Sequence, residues 1–79
     1  MTRPALSRRH KRLRELLADA RRRNGYTQVH LAKKLRRPQS FVSKFERGER
    51  RLDLIEFLDL ARVLRLDPSQ VIREIERES

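Results

Sequence analysis

Apolar residues along the chain recur with the spacing of helices, and no segment alternates with the period of two that a strand needs. Leu13, Leu16, Leu17 and Ala20 fall at i, i+3, i+4 and i+7, after Ser7 as a candidate cap and before Asn24-Gly25 as a stop. Thr27 caps a second helix with Val29, Leu31, Ala32 and Leu35 on its apolar face, closed by Arg36-Arg37-Pro38. A third helix runs from Pro38 or Gln39 to Arg47 and stops at Gly48. Asp53 and Glu56 form a capping box for a fourth, whose expected core positions are Leu54, Phe57, Leu58, Ala61 and Leu64. Asp67-Pro68 opens a fifth, at about 68–77, bearing Val71, Ile72 and Ile75. The fold class is therefore all-α. Residues 1–6, with Pro4 and little periodicity, read as a flexible basic N-terminal arm ahead of a single domain over 7–79.

The third helix separates its residues sharply. At about 100° per residue, Gln39, Ser40, Ser43, Lys44 and Arg47 fall in one arc, while Val42, Phe45 and part of Phe41 fill the other side. The polar arc holds hydrogen-bonding groups and cations but no carboxylate, unlike an ordinary solvated face rich in Glu and Lys. Glutamine can pair bidentately with adenine, lysine can donate to guanine, and small serines let a helix sit deep in a major groove. The alternative for this segment is an amphipathic surface helix.

Composition sharpens the picture. The 79 residues carry a formal charge of +10, enough chain for one small domain near the lower limit for an unaided core. The charge is lopsided: residues 1–45 hold 14 Lys and Arg against Glu15 and Asp19, or +12, and the remainder is −2. Such a field attracts polyanions. With no cysteine and two histidines, neither a disulfide framework nor a zinc site is expected, and no metal or other cofactor. No apolar run approaches a membrane span, and the N-terminus lacks the apolar stretch of a signal peptide, so a cytoplasmic protein is expected. Ser40 and Ser43 have no His or Asp partner in the same turn, and so small a bundle offers little room for a cleft; no catalytic residue is assigned and an enzyme is not expected.

The stretch TQVHLAKKLRRPQSFVSKFERGERR resembles the lambda-repressor-like, XRE-type helix-turn-helix of bacterial and phage regulators, through Thr27-Gln28, Leu31-Ala32, Leu35, Gln39-Ser40, Ser43, Glu46 and Gly48 followed by basic residues. The likeness covers roughly residues 12–66, with the motif at about 27–47. It implies a five-helix DNA-binding domain in a cytoplasmic, nucleoid-associated regulator that reads double-stranded DNA. By position, Gln39, Ser40 and Lys44 match base-reading residues, and Ser43 and Arg47 lie where contacts go to bases or to flanking phosphates. Gln28 matches a glutamine that bonds a phosphate and buttresses Gln39, and Arg50 and Arg51 match a loop that meets the sugar-phosphate backbone. Arg36 and Arg37, in the turn, are expected near the same backbone. Arg21 and Glu46 match a structural pair bridging helices one and three.

Three residues depart from the family pattern. Arg36 and Arg65 stand where glycine is common, so either those turns differ or the added charge is useful. His30 replaces the glutamate of a capping box and is expected as a surface imidazole. The basic residues Arg3, Arg8, Arg9, Lys11 and Arg12 either follow a DNA backbone or enter a minor groove, or remain as solvated charge. The apolar stripe of helix five gives the expectation of a homodimer through the C-terminal helices, reading an inverted repeat as a repressor. Two other classes remain open: an antitoxin or interaction module with a protein partner such as a toxin, and a binder of RNA or anionic membranes.

Overall fold

The computed structural model describes residues 4–78, with side chains from Arg8 onward. Five helices follow in order: α1 (Pro4–Arg23), α2 (Gln28–Leu35), α3 (Gln39–Glu46), α4 (Leu54–Val63) and α5 (Pro68–Glu76), with no strand among the described residues. The helix expected to begin after Ser7 begins instead at Pro4, which leaves Ser7 within the helix and shortens the segment read as an arm. The reason is chemical. A proline at the first helical position lacks only an N–H that has no intrahelical acceptor, and its fixed φ suits the helix. Arg3 lies outside the described residues.

The helices α1 to α4 all end in the same pair of hydrogen bonds. At α2, the Arg36 N–H donates to Lys33 O and the Arg37 N–H to Ala32 O; at α4, Arg65 donates to Arg62 O and Leu66 to Ala61 O. Gly25 and Gly48 make the equivalent bonds after α1 and α3. This closure needs a left-handed residue, and Arg36 and Arg65 both take φ of 58° where glycine would be at ease. The turns are thus retained, with arginine accepting the backbone strain. Thr27 caps α2 through the His30 N–H at 3.1 Å, and the His30 ring meets Tyr26 edge-on, with ring centres 4.7 Å apart. Asp53 and Glu56 form the expected reciprocal box at α4.

The core gathers one stripe from each helix: Leu17 and Ala20, Leu31 and Ala32, Phe41, Val42 and Phe45, Phe57, Leu60 and Leu64, and Val71. Two expected positions on α4 are corrected. Leu54 and Leu58 are exposed, because the helix turns Phe57, Leu60, Ala61 and Leu64 inward, and Leu60 takes the place read for Leu58. Val29 on α2 is also exposed. Val71 is buried and Ile75 packs partly buried against the core, so the α5 stripe expected to hold a dimer mostly closes the monomer.

Candidate nucleic-acid interface

The α2 to α3 connection is short because the Arg36 closure reverses the chain in one step. Pro38, extended at φ −61°, ψ 152°, then opens α3 without a side-chain cap. Behind α3, Phe41, Val42 and Phe45 are buried and fix its roll about its own axis. In front, Gln39, Ser40, Lys44 and Arg47 are exposed and Ser43 is half-buried. The polar arc expected from the sequence therefore faces outward as one surface.

Two side-chain networks frame that surface. In the first, the Arg21 guanidinium donates to both oxygens of Glu46, at 2.8 Å and 3.1 Å, and to Tyr26 O at 2.9 Å. Gln28 donates to the same Glu46 at 2.9 Å. The expected Arg21–Glu46 pair is present and well sheltered from solvent. Gln28, read as the buttress of Gln39, is drawn to this pair as a third member, tying α2 to α1 and α3.

The second network surrounds Phe41. Arg50 forks onto Glu56 at 2.8 Å and 2.7 Å, and Arg37 reaches the same carboxylate at 3.3 Å. Both guanidinium carbons lie 4.7 Å from the Phe41 ring centre. Glu56 also accepts the Asp53 N–H at 3.0 Å, which completes the α4 capping box. The Arg50 hydrogen bond, then the Asp53 N–H, hold the Glu56 carboxyl well below the usual range, at about 2, against the opposing effect of burial; the charges of Arg50 and Arg37 act in the same direction. Arg37 and Arg50 were expected as backbone contacts only. Glu56 was legible as a cap but not as the meeting point of two arginines, which arrive from separate loops.

The remaining cations lie around the loop after α3 and along the first half of α1. Arg47 pairs with Glu49 at 2.9 Å, while Arg51 is exposed and offers its carbonyl to Arg50 at 2.9 Å. Lys11 shares with Arg14 and Arg51 the lining of a cleft between α1 and the loop after α3. Arg9 turns the other way, donating to Glu78 O at 2.7 Å, and Arg12 pairs with Glu74 at 3.1 Å. Arg8 lies on that side too, beside Glu74 and Glu78. So Arg8, Arg9, Lys11 and Arg12, charges read as arm contacts, ride on α1, and Lys11 lines both the cleft that holds Arg51 and the hollow beside Glu74 and Glu78. Arg36 is exposed in the turn.

A model of the helix-turn-helix domain family matches residues 12–72. A solved structure of an XRE-family like protein from Pseudomonas syringae pv. tomato str. DC3000 is 49% identical, with a TM-score of 0.81, covering 87% of this chain and 84% of that one. The chain belongs to the XRE-type helix-turn-helix family. As such it is a DNA-binding regulator. A search of the curated proteins finds no match. The family match begins inside α1 and ends inside α5, so the first two turns of this XRE-type chain lie outside it. Among the described residues no helix is long and apolar enough to cross a membrane, and no group of three metal-ligating side chains forms.

Proposed function

We propose that this protein is a sequence-specific transcriptional regulator, a repressor that places α3 in the major groove of an inverted-repeat operator and acts as a dimer. The observation that carries the reading is the outward arc of Gln39, Ser40 and Lys44 on a helix whose other side is locked by Phe41, Val42 and Phe45. Base-edge contacts from such an arc supply sequence, and Arg51, Arg36 and Arg47 around it supply register on the phosphates. Occupancy of a promoter by so small a helical bundle acts by exclusion, which favours repression. The reading carries with it a cytoplasmic, nucleoid-associated location in a bacterium or phage-infected cell.

Binding sites selected from a random DNA pool give the test its substrate. Gln39→Ala is expected to cost about 1–3 kcal/mol on the selected site and little on random duplex. Arg51→Ala is expected to weaken both about equally and to lower the salt slope by roughly one. Equal loss on both DNAs for Gln39→Ala would make the protein a basic, non-specific binder. Protein partners compete as a second reading because Leu54, Ile55 and Leu58 form an exposed apolar patch on α4. A second copy of the chain is the occupant that an inverted repeat requires.

A further inference from the structure

Glu56 sits behind two cations. Its side chain is 8% exposed, whereas those of Arg37 and Arg50 are 41% and 36% exposed. One buried carboxylate thus faces two more exposed guanidiniums, with Asp53 acting on Arg50 and Asp59 lining the hollow beside Arg37 and Phe41. Arg37 lies in the turn before α3 and Arg50 in the loop after it, and the two meet over Phe41. On α3, Phe41 stands about 60° round from Lys44, which sets the cluster on the flank of the base-reading arc.

The geometry assigns Glu56 as a positioning residue that presets Arg37 and Arg50, through their shared stacking on Phe41, as one phosphate-binding clamp at the edge of α3. The inference rests on the DNA-binding reading above and adds to it the site and the group that orders it. The physical case is preorganisation. A free arginine gives up much rotamer freedom on binding, while Arg50 is already held by a fork onto carboxylate and Arg37 by an ion pair to the same group, both over one aromatic ring. Arg50 uses two donors on Glu56 and one on Arg51 O, and a guanidinium has five. Arg37, held to Glu56 through one nitrogen, keeps most of its donors for an incoming phosphate.

Glu56→Gln separates this assignment from simple electrostatics by sign. Removing a negative charge beside DNA should tighten binding if charge alone matters. The clamp requires the opposite: affinity for the selected site at least fivefold weaker, with the salt slope shallower by about one, in a protein whose helical circular dichroism at the assay temperature matches the parent. Arg37→Ala, which leaves the capping box intact, should lower the slope by the same amount and add little to Glu56→Gln in the double variant. A Glu56→Gln protein that is folded and binds as tightly as the parent, or tighter, with an unchanged slope overturns the clamp. If Glu56→Gln does not fold, Arg37→Ala and Arg50→Ala decide alone, and slopes equal to the parent's overturn it. Failure of the parent to distinguish selected from random DNA is a different result and strikes the functional reading instead.

Discussion

Arg65 and Arg36 hold left-handed conformations that ordinarily cost a side-chain-bearing residue on the order of 1 kcal/mol. Glycine would relieve that strain but would enlarge the unfolded ensemble, which offsets part of the gain. Arg65→Gly is therefore expected to raise stability by about 0.5 kcal/mol, seen as a higher midpoint in urea, and Arg65→Val to lower it. The two native glycines differ from each other. A Cβ at Gly25 would meet nothing within 4 Å, whereas at Gly48 it would sit 2.9 Å from the guanidinium carbon of Arg14. Gly48→Ala should thus cost more than Gly25→Ala, and equal thermal midpoints would show that Arg14 swings aside freely. The sequence displayed both arginines as departures from glycine. It could not say whether the turn or the residue yields, because that depends on the tertiary frame holding both ends of the turn.

Between elements, the carboxylates carry the joints. Glu46 receives Arg21 from α1 and Gln28 from α2, while Glu49 pairs only with exposed Arg47. Glu46→Ala is expected to destabilise by about 2 kcal/mol, since it strands a sheltered guanidinium, and Glu49→Ala by a few tenths at most. Denaturant midpoints of the two variants check this, and equal midpoints would mean that the joint is solvated. Glu56 adds a pH dependence. Its folded value, about 2, lies below the ordinary 4.5, so its contribution is complete above about pH 5 and is lost as pH falls toward 2. Melting followed from pH 6 to pH 2 should show that loss, and Glu56→Gln should flatten it. Helix periodicity and caps made these elements legible, with Pro4 the main exception at a start. The Arg21–Glu46 pair was readable through family resemblance. The Arg37–Phe41–Arg50–Glu56 cluster was not, because it is assembled by two loops whose paths are set only when α4 docks.

At the scale of the whole molecule, the charge asymmetry was legible as attraction to a polyanion, but its placement was not. Arg12 ties α1 to Glu74 of α5 and Arg9 ties it to the Glu78 carbonyl just beyond α5, so part of the basic charge serves the fold. The same docking draws Val71 and part of Ile75 into the core and leaves Ile72 exposed on the stripe expected to hold a dimer. Among the described residues the most exposed large apolar side chains stand at the start of α4, where Leu54 and Ile55 are 65% and 64% exposed beside Leu58. Their spacing at i, i+1 and i+4 makes one patch. A two-fold axis through it would bring together two copies of a segment that follows closely on the recognition helix, as an inverted repeat demands. Ile55→Asp is therefore expected to leave the helices and the melting temperature nearly unchanged, to give a monomer by sedimentation at concentrations where the parent is a dimer, and to lose affinity for the full inverted repeat but not for an isolated half-site. Ile72→Asp should do none of these. A dimer that survives Ile55→Asp and fails with Ile72→Asp would return the interface to the C-terminal helix.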